Sequence, residues 1–354
     1  MRVIDAGDVS AVRSQAIWYG VAAGVQTDSS PALTLVNSIE PYVCIGLHQD
    51  PEIEVDTDYC RANGIAVLRR RLGGGAVYLD RDQLIFHFIW PRRRAPGRAA
   101  LLYPRFIEPV LRTYRALGIA AVYRPVNDIQ AEGRKIGGTA AAILDEATVL
   151  GGMLLFDFDT ATMARCLKVP SEKFRDKLTV TLESYVTSMR RLLPAVPSRA
   201  AMKALFLRHA SECLGVAPQE STLTETEAAA VAAEAALMTD PGWLHRAGRR
   251  LVPAGVKVAA DMHLTEGAYK APGGLIRVQL LEHDGHIADI DITGDFTCIP
   301  GTGLAGLMQY LRGAALSENA LSANLRRAVE DLDLPGVGPE HLAAAIQSCR
   351  HREG

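Results

Sequence analysis

The chain has 354 residues, 48% hydrophobic and 22% charged, and 38 Lys and Arg against 40 Asp and Glu leave a formal net charge of −2. This composition belongs to a globular protein able to bury one large core or two unequal ones, and it excludes a disordered or collagenous chain. The near-neutral balance lacks the basic footprint of a general nucleic-acid binder, and no apolar run approaches the roughly 20 residues that cross a bilayer.

From the N-terminus, Met1–Asp5 lacks the apolar core of a secretory signal. The cysteines at 44, 60, 166, 213, 298 and 349 are scattered, with no Cys-x-x-Cys pair. That spacing argues against a zinc knuckle or a disulfide framework and fits a reducing compartment, so a cytoplasmic protein is expected, with neither nucleic acid nor membrane as partner. Val12, Ala16, Tyr19 and Ala23 sit near helical spacing and predict a helix over 9–24. Leu33–Val36 and Tyr42–Gly46 read as strands, 54–63 as a helix and 65–70 as a strand. That strand runs into three arginines (69–71), Leu72, three glycines (73–75), then Ala76, Val77 and Tyr78; a second strand covers Leu84–Trp90. Arg92–Arg94 reads as a solvated loop in preference to a phosphate site.

Further on, Leu102, Phe106, Val110, Tyr114 and Leu117 mark a helix over 99–117. A strand at 120–123 leads into a hairpin over Asn127–Gly138, followed by strands at 140–144 and 149–156. The chain turns helical from Asp159, Lys168–Lys177 reads as a charged loop, and helices cover 199–214 and 224–238. The last opens on Thr224-Glu225-Thr226-Glu227, a cap with an acidic first turn. Gly242, Gly248, Pro253 and Gly255 mark a linker over 242–255. Beyond it come strands at 268–270, 275–282, 286–293 and 296–300, with Asp284-Gly285 as a tight turn, and helices at 303–312, 317–330 and 339–349. The whole reads as an α+β fold on a mixed sheet, without the regular repeat of a doubly wound one. A large domain over 1–245 and a smaller α+β domain over 246–354 are expected, the latter long enough to fold alone.

Three adjacent glycines are entropically costly and occur where another backbone or a ligand approaches closely. Around 69–75 and 127–138, cations lie beside exposed backbone N–H groups, an arrangement suited to anions. An enzyme that activates a carboxylic acid with ATP must bring two anions together. A lysine such as Lys135 would neutralise their repulsion, Arg70 could clamp phosphate oxygens, and Asp128 could help hold Mg²⁺. Singly, these residues read as well as a turn, a solvated lysine and a self-capping aspartate. His48 and His87 read equally as packed or surface residues, and no Ser/His/Asp triad or metal-ligand spacing occurs. The residues alone lead to a candidate anion site on a sheet.

Three segments, in order, resemble the lipoate–protein ligase family: Arg-Arg-x-x-Gly-Gly-Gly-Ala-Val-Tyr-x-Asp, Asn-Asp-Ile-x-x-x-Gly-Arg-Lys-Ile-x-Gly-x-Ala, and Gly-x-Leu-Leu-Phe-Asp-x-Asp. Residues 167–177 also look like that family, and 266–277 with 292–296 resemble its small accessory domain. The resemblance implies two steps: lipoate or octanoate and Mg·ATP give acyl-AMP and pyrophosphate, then the acyl group passes to a lysine of a carrier protein. It implies that Lys135 is catalytic and touches both acyl carbonyl and phosphate. It places Arg70 and Gly73, Gly74 and Gly75 beside the adenylate and acyl chain, and Ala76, Val77 and Tyr78 along the channel. Asn127 and Asp128 would face nucleotide and metal; Gly138, Thr139 and Ala140 would pack on the adenylate, with Lys177 in the adenylate-binding loop. An apolar tunnel would suit the acyl tail, at roughly 0.8 kcal/mol per buried methylene. ATP, Mg²⁺ and lipoate are the implied cofactor and substrates, a lipoyl-domain or glycine-cleavage-H-like protein is the implied acceptor, and a monomer is expected.

The chain departs from the family at Leu72, Leu79, Gly151 and Tyr185, where serine, histidine, histidine and arginine are usual. Two of these swaps would add apolar bulk near a polar site. An octanoyl- or lipoyl-transferase is the near alternative; it requires a reactive thiolate, and residues 135–156 contain no cysteine. A non-catalytic carrier-binding homologue is the third reading. A biotin ligase fits less well, because 69–75 lacks the glycine-interleaved basic loop expected there. The linker suggests that the small domain swings between the two steps.

Overall fold

The computed structural model describes residues 1–169, 171–251 and 261–349. The chain divides into two compact units, the first made of Met1–Cys44, Ile53–Arg70 and Val77–Leu244, the second of Ile45–Glu52, Arg71–Ala76 and His245–Gly354. The segments 45–52 and 71–76, expected in the large domain, thus divide with the C-terminal residues.

In chain order the elements up to residue 116 are β1 (Arg2–Val9), α1 (Ala11–Ala23), β2 (Ala32–Ser38), β3 (Tyr42–Ile45), α2 (Pro51–Glu54), α3 (Thr57–Ala62), β4 (Ala66–Arg69), β5 (Val77–Leu79), β6 (Gln83–Pro91) and α4 (Ala99–Ala116). Then follow β7 (Val122–Arg124), β8 (Asp128–Ala131), β9 (Arg134–Leu144), β10 (Ala147–Leu155), α5 (Thr160–Cys166), α6 (Glu172–Tyr185), α7 (Met189–Leu192), α8 (Arg199–Leu214), β11 (Gln219–Glu220), α9 (Glu225–Met238) and α10 (Pro241–Leu244). An eight-stranded sheet in the order β11-β1-β2-β6-β10-β9-β8-β7 organises the first unit. Strand β1 is parallel to both neighbours, and pairing is antiparallel from β2 onward. A smaller sheet, β4-β3-β5, lies beside it in sequence.

Strand β6 is buried along its whole length, as its apolar and aromatic run demands. On one face Phe86 and Phe88 meet Phe206 of α8 at 5.0 and 5.8 Å, and Phe88 meets Phe106 of α4 at 5.5 Å. On the other, Trp18 of α1 stacks on His87 at 5.2 Å. Burial pushes His87 down to about 3, so it is a neutral core residue. Helix α9 crosses α1 where a Cβ at Gly20 would lie 2.4 Å from Val231 Cγ2, so only glycine fits the crossing.

One element missing from the sequence reading and one misread in it stand out. Strand β1 escapes the alternation test because its register shifts between Asp5 and Gly7, with Gly7 at φ +63°. The charged segment 168–177 is not all loop, since α6 begins at Glu172; most of its side chains face solvent, leaving little apolar periodicity to read.

The second unit carries an antiparallel sheet of β12 (Met262–Ala271), β13 (Gly274–His283) and β14 (His286–Gly294). Asp284 and Gly285, at φ 48° and 72°, make the expected tight turn. Helices α11 (Gly303–Leu311), α12 (Glu318–Ala328) and α13 (Pro339–Gln347) close a core that includes Val278, Leu280, Ile292, Leu307, Leu325 and Ile346. The expected strand at 296–300 is irregular, with one bridge between Ile299 and Asp333. Of the expected linker, residues 252–255 lie outside the described residues.

Thr224 caps α9 in a full capping box with Glu227. Glu227 also receives Arg2 Nη1 of β1 at 2.6 Å. Burial alone pushes this carboxyl up, but hydrogen bonds from Arg2 and Thr224 hold it below its usual range. Glu227→Gln is therefore expected to cost about 1–3 kcal/mol at neutral pH in denaturant titrations. Because the folded value is depressed, this stabilisation is present above the unfolded glutamate value of about 4.3 and fades as pH falls through the folded value. The stability gap between variant and parent should narrow in that acid range; a gap that stayed constant to pH 2 would contradict the assignment.

Candidate active site

The site is built on the β8–β9 hairpin. Asp128 pairs with Gly138 and Gln130 with Lys135, with a register shift between Ile129 and Gln130 that leaves Ile136 as an extra residue on β9. Strand side chains alternate faces, so residues three apart should point oppositely. The extra residue resets that phase and brings Lys135 onto the face shared by Asp128 and Gly138. Ile136 is fully buried, and its carbonyl accepts the Tyr114 hydroxyl at 2.9 Å. That hydroxyl also accepts from Leu155 N at 3.0 Å, which ties the bulge to β10.

On this face Lys135 Nζ lies 2.6 Å from Asp128 Oδ1. The lysine folds over Gly138, where a Cβ would sit 3.1 Å from both its Cε and Nζ. The opposite carboxylate oxygen, Oδ2, accepts the Tyr185 hydroxyl at 3.0 Å. The start of the hairpin is clamped by Thr139, whose N and Oγ1 donate to Asn127 O at 2.9 and 3.0 Å. Asn127 Nδ2 returns a bond to Thr139 O at 2.8 Å. Behind them a Cβ at Gly152 would fall 2.6 Å from Phe86 Cζ and 2.9 Å from Thr139 Cγ2, so β10 must be bare at this point.

Of the residues singled out in the sequence, Asn127, Asp128, Lys135, Gly138, Thr139 and Ala140 come together on this hairpin. Arg70 is buried, with Nη1 donating to Cys44 O at 2.8 Å, so part of its fork serves the fold. Val77 and Tyr78 lie on β5; Tyr78 is buried, packs edge-on to Phe158 at 6.4 Å, and its phenol is pushed up by burial and nearby carboxylates. Lys177 is an exposed residue of α6. Gly73, Gly74, Gly75 and Ala76 belong to the second unit. There the close approach is by backbone: a Cβ at Gly73 would lie 2.8 Å from Thr297 Cα, and Gly74 N donates to Phe296 O at 3.2 Å. His48 stacks on Phe296 in the same unit.

Asp128 has both carboxylate oxygens engaged, and an ammonium 2.6 Å away opposes a second cation there. Among the described residues no three His, Cys, Asp or Glu side chains gather as metal ligands. The side chains present therefore do not fit a resident metal ion. Leu79 also differs from expectation, since its side chain packs in the core with Val36, Tyr42 and Ile85, and adds no bulk to a polar site. In the sequence Tyr185 stands out only as a departure from the family; its partner lies 57 positions away, beyond any local motif.

This hairpin, with its carboxylate-held lysine, lies inside the segment that a family model matches. Residues 19–211 match the family described as Lipoyl protein ligase A/B catalytic domain, and the chain belongs to that family. Lipoate-protein ligase LplJ of Bacillus subtilis is 33% identical over 170 residues, 48% of this chain and 50% of its own length, so the match spans about half of that relative. Lipoate-protein ligase A subunit 1 of Thermoplasma acidophilum is 34% identical over 195 residues, 52% of this chain and 73% of its own. Octanoyltransferase LipM of Kyrpidia tusciae is also a relative, 27% identical over 256 residues, 64% of this chain and 93% of its own. Among solved structures, a bipartite lipoate protein ligase from T. acidophilum, described with its E2 lipoyl domain, superposes with TM-score 0.65 at 27% identity, over 71% of this chain and 98% of that one. A lipoate-protein ligase A bound with ATP gives TM-score 0.60 at 26% identity, over 69% and 98%. A T. acidophilum protein with bound lipoic acid gives 0.59 at 25%, over the same 69% and 98%.

A methyl group at position 138 would collide with the movable end of Lys135 and with no backbone. Gly138→Ala should therefore leave stability within about 1 kcal/mol while a crystal structure of the variant shows the end of the Lys135 side chain shifted away from position 138. A variant that lost several kcal/mol with the lysine unmoved would show the glycine to be there for the strand instead.

Proposed function

We propose that the protein is an ATP-dependent lipoate–protein ligase. It activates lipoate or octanoate as acyl-AMP with release of pyrophosphate, then passes the acyl group to a lysine of a lipoyl-domain or glycine-cleavage-H-like acceptor. The observation that carries this reading is the Lys135 ammonium, fixed by Asp128 across Gly138. The domain's solved relatives include one with ATP and one with lipoic acid, and another described with an E2 lipoyl domain.

A carboxylate approaching an α-phosphate meets like charge. An ammonium with one N–H on Asp128 keeps two for anionic oxygens, one on the acid and one on the phosphate. It stabilises the charge that builds as phosphorus becomes five-coordinate, and it needs no reorganisation because its position is already set. Asn127, Thr139 and Ala140 supply the rigid floor on which the adenylate would lie. Magnesium enters with ATP, as part of the substrate. In the second step the mixed anhydride is attacked by the acceptor lysine, with AMP as the leaving group.

The transferase reading needs an accessible thiolate. Five of the six cysteines are buried and Cys213 is half-buried. Burial pushes the Cys44 and Cys213 thiols up, and the hydrogen bond with Cys60 together with burial does the same to Cys166; Cys60, lowered by that same hydrogen bond, is fully buried. This favours the adenylating ligase over a cysteine-linked transfer. Mixing the protein with Mg·ATP, lipoate or octanoate and candidate acceptors, with pyrophosphate release and intact mass as readouts, tests the choice. Acyl transfer from a carrier protein in the absence of ATP would sink the ligase reading. Absence of any nucleotide-dependent thermal shift would instead favour a non-catalytic carrier binder.

Lys135→Ala is expected to abolish lipoate-dependent pyrophosphate release while costing no more than about 1 kcal/mol of stability, since the Lys135–Asp128 pair is partly exposed. Acyl-AMP accumulating in the variant at the parental rate would remove Lys135 from the mechanism.

A further inference from the structure

We propose that Tyr185 is a positioning residue for Lys135: its hydroxyl holds the Asp128 carboxylate in the orientation from which the other oxygen grips the ammonium, so that the end of α6 and the hairpin set the lysine together. This rests on the reading of Lys135 as the group that meets both anions. The carboxyl torsion of an aspartate is broad, and a single partner leaves it loose. Here the two oxygens have different partners, Lys135 on Oδ1 at 2.6 Å and Tyr185 on Oδ2 at 3.0 Å, which fixes the plane of the group.

The tyrosine is itself well anchored. It is the last residue of α6, and Val186 N closes the helix on Leu182 O at 2.8 Å. One residue later Thr187 N donates to Lys135 O at 2.8 Å, and Val186 forms a parallel bridge with Lys135. Arg191 Nη1 holds Val186 O at 3.2 Å. The backbone that delivers the phenol is thus bonded to the residue it positions. Burial and the neighbouring carboxylate push the phenol up, so at neutral pH it remains a donor. The residue is 44% exposed, too open for its packing alone to account for its place.

Tyr185→Phe removes the hydroxyl and keeps the ring. Water can then replace the phenol on Oδ2, so the carboxylate keeps its charge but loses its orientation, and Lys135 wanders. Misplacement of a group by about 1 Å costs up to about 100-fold, so partial loosening should cost about 10-fold in kcat for pyrophosphate release. The KM values for ATP and lipoate should stay within about twofold, because the lost placement acts in the transition state. In an Asp128→Asn background the same change should cost nothing further, since its route to the lysine is already altered. Labelling of Lys135 by acetic anhydride, read peptide by peptide, should rise several-fold in Tyr185→Phe and no further in the double variant. A Tyr185→Phe enzyme within twofold of parental kcat, unchanged Lys135 labelling, or an equal penalty in the Asp128→Asn background would each overturn the proposal. The labelling needs no turnover. If the parent released no pyrophosphate, the ligase reading would fall while the labelling still decided the role of Tyr185.

Discussion

One extra residue in one strand sets the geometry of the candidate site. With regular pleating, Lys135 would project away from Asp128 and Gly138. The bulge at Ile136 turns it to their side, and Tyr114, reaching into that bulge from α4 and bonding β10 as well, keeps it there. The ion pair and the bare glycine follow from that local change of phase. The aromatic layer behind the sheet supplies the stiffness: Phe86 fills the space that Gly152 vacates, so the hairpin lies on packed rings. A bulge at a functional position re-aims a side chain at small cost in pairing, and this one aims a cation.

The electrostatics of the cluster are economical. A lone ammonium on a hairpin would spend its time in water, and a lone carboxylate beside it would turn freely. Paired, and with a phenol on the far oxygen, each has a defined place without being buried so deeply that desolvation outweighs attraction. The same engagement leaves neither Asp128 oxygen without a partner.

Much of this was legible in the sequence. Helices α1 and α4 followed from apolar periodicity, α9 from its Thr-x-x-Glu opening, and the second unit's hairpin from Asp284-Gly285. The Lys135 hairpin stood out through its glycines and charges. What escaped did so for physical reasons. Strand β1 carries a bulge that breaks alternation. Helix α6 shows a largely solvated surface, so its charges read as loop. The triple glycine had two meanings, ligand or backbone approach, and only coordinates could show Thr297 and Phe296 against it. Leu79 looked like an intrusion on a polar site because a linear motif does not say which way a side chain faces. Tyr185 touches a residue far upstream, and no spacing rule reaches that far.

The sheltering of the sulfur atoms has a consequence beyond stability. Under the proposed reaction the cargo carries a cyclic disulfide, a ring that a thiolate opens by exchange. With five of the six cysteines buried, and with the half-covered Cys213 held toward its protonated form, the surface offers such a ring little thiolate with which to exchange.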